Sequence, residues 1–275
     1  MSVTNLDFDL FRDYLEKQSG ILLGDNKQYL VTSRLRKIME NERLQSLAEL
    51  VRRMQSQPRS GLYQQVIDAM MTNETLWFRD GYPFEVMRTR VLPELVQKYP
   101  NQRLRIWSAA SSSGQEPYSL SMLLDEYERA NPGQLRAGVQ IVATDLSASM
   151  LDVCKGGEYD ALSMGRGLSV ERQQRYFEKL EGGRWRLKLP VRQRVDFRQL
   201  NLLESYALLG KFDVVFCRNV LIYFSADVKK DILRRIHATL KPGGYLFLGA
   251  SEALNGLPEL YSMVQCSPGI IYQAK

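Results

Sequence analysis

The sequence has little of the chemistry on which many enzymes depend. It contains a single His and three widely separated Cys, without the spacing of a zinc site: His237, Cys154, Cys217 and Cys266. We therefore expect no metal and no catalysis by a His base. No apolar run approaches the roughly 20 residues that span a bilayer, so we expect no insertion into membranes. The few, widely separated Cys predict a reduced, cytoplasmic protein.

Two common phosphate-binding motifs are also absent. Neither GxGxxG nor GxxxxGKS/T occurs, so the sequence does not indicate a dinucleotide fold or a phosphate loop. The 275 residues are 44% hydrophobic and 25% charged, which is typical of globular proteins and excludes disordered and low-complexity classes. This length suits two modest domains, or one large domain with an appendage.

The net charge of +6 is concentrated in two segments. Residues 27–59 hold eight bases and three acids, and residues 166–198 hold ten bases and four acids. Such segments are either solvated faces or surfaces that attract an acidic partner, and the pattern alone leaves both interpretations open.

The chain changes character near Pro100. Residues 1–90 show apolar residues at helical spacing, including a basic helix from about Asn26 to Asn41. After Pro100, buried β-branched strands alternate with helices, which predicts an α/β fold with a mostly parallel, doubly wound sheet. Residues 184–199 alternate basic and apolar positions, which is typical of half-exposed antiparallel strands.

These patterns predict three parts of the chain. Residues 1–85 form an all-helical domain with a linker, and residues 86–275 form the α/β domain. Residues 165–199 form a small antiparallel β-subdomain inserted in it. The last residues, LYSMVQCSPGIIYQAK, predict an antiparallel edge hairpin about a Ser-Pro-Gly turn.

Four stretches follow strands of the predicted sheet, where ligands of such folds bind: 108–117, Asp145, 201–203 and 218–224. The small residues of 108–117 indicate either a cofactor loop or a generic turn. Asp145 suits a bidentate hold on ribose hydroxyls, or else the N-cap of the next helix. The sequence alone leaves open whether Tyr223 belongs to the site or to the core.

Taken together and in order, six motifs are similar to one family, the bacterial chemotaxis receptor glutamate methyltransferases (CheR). They are MTNETLWFR (71–79), WSAASSSGQEPYS (107–119), ATDLS (143–147), NLL (201–203), FCRNVLIYF (216–224) and LKPGGYLFLGASE (240–252). The resemblance extends over essentially the whole chain. It implies a helical N-terminal domain joined to a Rossmann-like class I methyltransferase domain with an inserted β-subdomain.

The resemblance implies S-adenosylmethionine as methyl donor, S-adenosylhomocysteine as product and no metal. By position it implies that Asp145 holds the ribose and Glu116 the methionine amino group. Further cofactor contacts are implied for Asn73, Thr75, Arg79, Asn201, Leu202, Asn219 and Val220. Arg79 and Tyr223 are the expected catalytic residues. The chain departs from the family at Glu74 and Trp77, where apolar residues or Phe are common.

The resemblance also implies partners. The substrate would be glutamates of the cytoplasmic helical region of chemotaxis receptors, methylated in sensory adaptation, a step of signal transduction at membrane receptor arrays. We expect the basic helix to bind them through Arg34, Arg36 and Lys37. We also expect a monomer, an additional acidic partner at the β-subdomain and no nucleic acid.

Two other functions need the same fold. A nucleic-acid methyltransferase also needs aromatic and edge-reading groups at its pocket, and no such motif is present. A non-catalytic sensor of S-adenosylmethionine has no need of Arg79 and Tyr223, which this chain retains.

Overall fold

A computed structural model describes residues 4–58, 60–254 and 256–275. Residues 1–3 and Arg59 of the predicted helical domain lie outside these ranges. The first part of the chain forms four helices: α1 (Asn5–Ser19), α2 (Gln28–Asn41), α3 (Leu47–Ser56) and α4 (Gly61–Met70). A 3-10 turn, Asp25–Lys27, precedes α2, so the predicted basic helix begins two residues later than expected.

Capping side chains explain where the helices of this part begin. The Thr4 hydroxyl accepts a hydrogen bond from the backbone N–H of Asp7, and the Ser46 and Ser60 hydroxyls do the same for α3 and α4. Helix α1 ends at Gly20, whose φ of 76° suits glycine. The four helices bury one shared apolar core, in which α1 packs on α3 and α2 on α4.

Residues 71–81, called the linker below, connect the helical part to the α/β part without regular secondary structure. A continuous helical stretch follows: α5 (Tyr82–Val86), a π-helical turn (Met87–Val91) and α6 (Leu92–Lys98).

A seven-stranded sheet forms the centre of the second part. Its strands are β1 (Leu104–Ala109), β2 (Val139–Asp145), β6 (Val195–Gln199), β7 (Phe212–Cys217), β8 (Leu240–Leu248), β9 (Tyr261–Cys266) and β10 (Gly269–Ala274). Their order is β6-β2-β1-β7-β8-β10-β9. All neighbours pair in parallel except β10, which is antiparallel to β8 and β9. The predicted terminal hairpin is therefore present.

Helices cover both faces of this sheet, as the predicted doubly wound fold requires. The remaining helices are α7 (Gln115–Ala130), α8 (Ala148–Gly156), α9 (Ala161–Met164), α10 (Val170–Tyr176), α11 (Leu189–Arg192) and α12 (Ala226–Thr239). Ile106 and Val214 pack in one core with α7, whereas the next residues, Trp107 and Val215, pack in the opposite core with α12. This alternation is the two-residue period of strands buried on both faces.

A second sheet of three short strands is antiparallel: β3 (Glu158–Tyr159), β4 (Phe177–Lys179) and β5 (Trp185–Leu187), in the order β3-β5-β4. We call residues 158–187 the small-sheet unit. The interpretation of 184–199 as antiparallel strands was wrong for β6, which pairs in parallel with β2. As an edge strand, β6 is only half-buried, so its alternation imitates an antiparallel strand.

Within the described ranges, no helix combines the length and apolarity needed to cross a membrane. The same residues contain no group of three or more His, Cys, Asp or Glu side chains placed to hold a metal ion. His237 lies on α12, where its ring contacts Tyr261 edge-on, 5.2 Å between centroids.

Candidate active site

A cavity of about 320 Å³ lies where the carboxyl ends of β1, β2 and β7 face the helical part and the linker. Its volume lies in the range of small-molecule sites. Eleven residues singled out by the sequence line it: Arg34, Asn73, Thr75, Arg79, Glu116, Asp145, Asn201, Leu202, Asn219, Val220 and Tyr223. Arg36 and Lys37 are instead exposed on α2.

Asp145 ends β2 and is 3% exposed. Its Oδ2 accepts a hydrogen bond from the backbone N–H of Ser112 at 2.7 Å, and its Oδ1 accepts one from that of Ser147 at 2.9 Å. The N-cap of α8 is Ser147, whose hydroxyl accepts from the Met150 N–H, so Asp145 is not that cap. Burial raises the pKa of Asp145 to about 6, against the lowering effect of its backbone hydrogen bonds.

This pKa predicts a pH dependence for any ligand whose hydroxyls donate to Asp145. The ionised carboxylate is the better acceptor, so affinity should be constant above about pH 6 and fall below it. The fall should approach ten-fold per pH unit. Calorimetric titration of S-adenosylhomocysteine at a series of pH values measures it. Asp145→Asn should bind more weakly than wild type above pH 6 and lose this dependence, and equal wild-type affinity on both sides of pH 6 would contradict the role of Asp145.

The loop after β1 has an unusual backbone. Ala110 and Ser112 have φ values of 60° and 50°, in the left-handed region that non-glycine residues rarely adopt, and both line the cavity. In this conformation the Ser112 N–H donates to the Asp145 carboxylate. The Ser112 hydroxyl donates to the Asn73 carbonyl oxygen at 3.0 Å. Asn219, with a φ of 57°, is a third such residue in the lining. Backbone strain of this kind is typical of ligand sites.

Glu116 and Arg218 form a buried ion pair beside this loop. Glu116 Oε2 accepts from Arg218 Nη1 at 3.0 Å, and its Oε1 accepts from the Ser108 hydroxyl at 2.8 Å. Burial raises the pKa of Glu116, and the Arg218 charge opposes this shift. Arg218 Nη2 donates to Asp80 Oδ2 at 2.6 Å and to the Arg79 carbonyl oxygen at 2.9 Å, so Arg218 also holds the linker.

Sequence reasoning placed Arg218 in one of the four ligand-binding stretches, 218–224, but gave it no specific role. Its side chain is only 1% exposed, although it directly follows the buried strand β7. A charge at that place in the sequence was the available signal, because buried Arg side chains are almost always paired.

The two expected catalytic residues are both half-buried in the cavity lining. Arg79 Nη1 donates to the Glu74 carbonyl oxygen at 3.2 Å. Tyr223 is the last residue of a 3-10 turn, Leu221–Tyr223. Glu252 holds the backbone just before this turn, because its Oε2 accepts a hydrogen bond from the Asn219 N–H at 2.7 Å.

The helical part contributes cavity residues that sequence reasoning missed: 19 at the end of α1, 21–24 after it, and 27 and 30 around the start of α2. Two hydrogen bonds hold the segment after α1 against the sheet. Asn201 Nδ2 donates to the Gln18 carbonyl oxygen at 2.7 Å, and the Leu22 N–H donates to the Tyr223 carbonyl oxygen at 2.9 Å. The only feature of the sequence that could have indicated these contacts was the apolar run Ile21–Leu23, which follows the end of α1 at Gly20.

Arg34 has an unexpected set of partners. Its Nη1 donates to the carbonyl oxygens of Met70 at 2.6 Å and Met71 at 3.2 Å, and its Nη2 donates to the Thr72 hydroxyl at 3.1 Å. The last carbonyls of α4 need such donors because the helix supplies none. Any contact of Arg34 with an acidic partner would compete with these three hydrogen bonds.

Comparison with known proteins gives matches over almost the whole chain. Residues 6–71 match the family described as CheR methyltransferase, all-alpha domain, and residues 73–270 match CheR methyltransferase, SAM binding domain. The chain is 70% identical over 275 residues to chemotaxis protein methyltransferase Cher2 of Pseudomonas putida and to chemotaxis protein methyltransferase 1 of Pseudomonas aeruginosa, covering 100% of each chain. It is 52% identical over 276 residues to a chemotaxis protein methyltransferase of Vibrio anguillarum, covering 100% of this chain and 99% of the relative.

Proposed function

This chain belongs to the CheR methyltransferase family, and we propose that its cavity binds S-adenosylmethionine and presents the methyl group to a glutamate of a chemotaxis receptor. The enzyme uses S-adenosylmethionine to methylate chemotaxis receptors. We propose that the products are glutamate methyl esters and S-adenosylhomocysteine. One observation supports the location most strongly: residues from five separate sequence motifs line a single cavity.

The polar and apolar side chains that line the cavity suit this cofactor. Asp145 offers a carboxylate to the two ribose hydroxyls, and Glu116 offers one to the methionine ammonium group. Apolar side chains that can pack on an adenine ring line the same cavity: Leu146, Leu200, Leu202 and Val220. When bound, S-adenosylmethionine supplies an electrophilic methyl group on a sulfonium cation.

The substrate needs no general base. An unperturbed Glu has a pKa of about 4.3 and is ionised at neutral pH, so its carboxylate oxygen can attack directly. The protein must therefore orient the carboxylate in line with the methyl group and exclude water, and such positioning can supply roughly 7–11 kcal/mol. This chemistry agrees with a chain whose single His lies on α12.

We assign the orientation of the carboxylate to Arg79 and Tyr223. A bidentate Arg clamp would stabilise the carboxylate charge and weaken the nucleophile. We infer that Arg79 holds one oxygen and leaves the other free to attack, with a hydrogen bond from the Tyr223 hydroxyl. The contact of Arg79 with the Glu74 carbonyl oxygen and the hold of Arg218 on the Arg79 backbone support a fixed guanidinium.

We propose that the exposed Arg36 and Lys37 attract the acidic receptor helix. A double charge reversal, Arg36→Glu and Lys37→Glu, should raise the receptor KM by about ten-fold at low salt, and much less at high salt because exposed charges are screened. The matched control reverses Arg103 and Arg136, which are also exposed but precede β1 and β2, at the opposite edge of the sheet. Equal KM values for the two double variants at low salt would contradict this surface.

Four further points are part of the proposal. The enzyme acts as a monomer, it is recruited to membrane receptor arrays, and its domains are residues 1–85 and 86–275. The inserted unit is the small-sheet unit rather than the expected 165–199, because β3 lies before residue 165 and β6 belongs to the central sheet. An additional acidic partner contacts the small-sheet unit. This partner would compete with Glu158, with which Arg184 and Arg186 of the unit already pair.

The acceptor of the methyl group distinguishes the possible functions. The enzyme would be incubated with methyl-labelled S-adenosylmethionine and, in parallel, a receptor cytoplasmic fragment, duplex DNA or RNA. We expect label in the receptor fragment alone. Label in nucleic acid, or cofactor binding without transfer to several different receptor fragments, would overturn the proposed function.

A further inference from the structure

The linker has two sides, and only one of them faces the cavity. Asn73, Thr75 and Arg79 line the cavity, and the Asn73 carbonyl oxygen accepts from the Ser112 hydroxyl. Trp77 lies between them in sequence, is fully buried and packs instead in the core of the small-sheet unit.

The Trp77 ring makes specific contacts in that core. Its centroid lies 4.8 Å from that of Tyr159 and 5.4 Å from that of Phe177, both in edge-to-face geometry. Its Nε1–H donates to the Ser163 carbonyl oxygen at 3.1 Å. Edge-to-face pairs and a satisfied indole N–H fix the orientation of a buried Trp, so the ring has one defined position.

The backbone of Trp77 is held as firmly as its ring. Its N–H donates to the Arg166 carbonyl oxygen at 3.1 Å. At Gly167, which has a φ of 91°, an added Cβ would overlap the Trp77 carbonyl oxygen, so the two backbones are in direct contact. The linker is therefore attached to residues 163–167 on one side and to Ser112, in the loop after β1, on the other.

We propose that Trp77 is a positioning residue through which the small-sheet unit sets the place of Asn73 and Arg79 in the cavity. The proposal rests on the function proposed above, since it concerns residues that hold cofactor and substrate there. It gives the small-sheet unit a role in the reaction itself, because any displacement of residues 163–167 moves the segment that ends in Arg79.

Variants of Trp77 and Gly167 test this role. Trp77→Ala should lower kcat by about 100-fold, the cost of a misplacement of about 1 Å, with the receptor KM nearly unchanged. Trp77→Phe keeps an aromatic ring but loses the hydrogen bond to Ser163 and part of the ring volume, so its kcat should lie within about five-fold of wild type. Gly167→Ala leaves the Trp77 side chain intact but displaces the Trp77 carbonyl oxygen, so it should also lower kcat.

The matched control is Trp185→Ala. Trp185 belongs to the same small sheet and is half-buried, with Lys179 Nζ 5.9 Å from its ring centroid. Its variant should keep kcat within about two-fold of wild type. Unfolding midpoints are measured alongside, and kcat is expressed per folded, cofactor-saturated molecule. If Trp77→Ala does not fold, the kcat of Gly167→Ala decides. Wild-type kcat in Gly167→Ala, or equal losses in the Trp77 and Trp185 variants, would overturn the proposal.

Hydrogen exchange on the wild-type enzyme gives a second test without any variant. S-adenosylhomocysteine at ten times its Kd should slow exchange of the Trp77 amide, and of amides 163–167, by about ten-fold. Protection of Ser112 alone would contradict the coupling. Failure of the wild-type enzyme to methylate any receptor would instead contradict the proposed function, so the two failures are distinguishable.

Discussion

Arg79→Ala is expected to lower kcat by about 100- to 1,000-fold, the usual cost of removing a charged or hydrogen-bonding group that acts in the transition state. The guanidinium has five N–H donors, and one of its nitrogens already contacts the Glu74 carbonyl oxygen. The others are available to hold the substrate carboxylate. Affinity for S-adenosylhomocysteine should fall by less than about ten-fold, because Asp145 and Glu116 supply the stronger polar contacts.

Arg79→Lys is the control for charge. It keeps a cation but loses the planar arrangement of donors, so its kcat should lie between those of Arg79→Ala and wild type. Steady-state kinetics with a receptor fragment and calorimetry with S-adenosylhomocysteine measure the two effects separately. A large loss of cofactor affinity, with normal methyl transfer per bound cofactor, would show that Arg79 is a cofactor contact only.

The second large effect is expected for Arg218→Met. This change leaves the buried carboxylate of Glu116 without its cation, and removing one partner of a buried ion pair typically costs about 3–5 kcal/mol of unfolding free energy. It also releases Asp80 and the Arg79 carbonyl oxygen. Activity should therefore fall together with stability.

The loss of stability in Arg218→Met should depend on pH. Burial already raises the pKa of Glu116 above its unfolded value, and without Arg218 that pKa rises further. The protonated form is then favoured by the folded state, so the deficit is small at low pH and grows as pH rises through the folded pKa of Glu116. Urea unfolding at several pH values measures this.

A double variant separates stability from function. Arg218→Met combined with Glu116→Gln removes the unpaired charge and should recover part of the unfolding free energy at neutral pH. It should remain inactive, because the proposed acceptor for the methionine ammonium group is lost. An equally unstable double variant would mean that the Glu116 charge does not cause the deficit.

The general fold could be predicted because its signals are local. Buried strands after Pro100 and the strand-helix alternation indicated the doubly wound sheet, and polar residues at strand ends, such as Asp145, indicated its ligand edge. The strand β6 was misinterpreted because an edge strand of a parallel sheet exposes one side and therefore alternates.

The parts that escaped prediction depend on contacts between distant segments. Arg34 was expected to face a partner, yet its guanidinium caps the end of α4, thirty-six residues further along the chain. Arg218 meets Glu116 across 102 positions, and Trp77 meets Ser163 across 86. A pattern of residue types shows which side chains are unusual at their positions, but it does not show which distant group satisfies them.

The most direct test of the account is the bond that the enzyme makes. Receptor fragment methylated with labelled S-adenosylmethionine would be treated with mild alkali, and its peptides mapped by mass spectrometry. The account predicts that the label is released as volatile methanol and that the modified peptides carry the methyl group on glutamate. Label that withstands alkali, or that maps to a nitrogen-containing side chain, would contradict it.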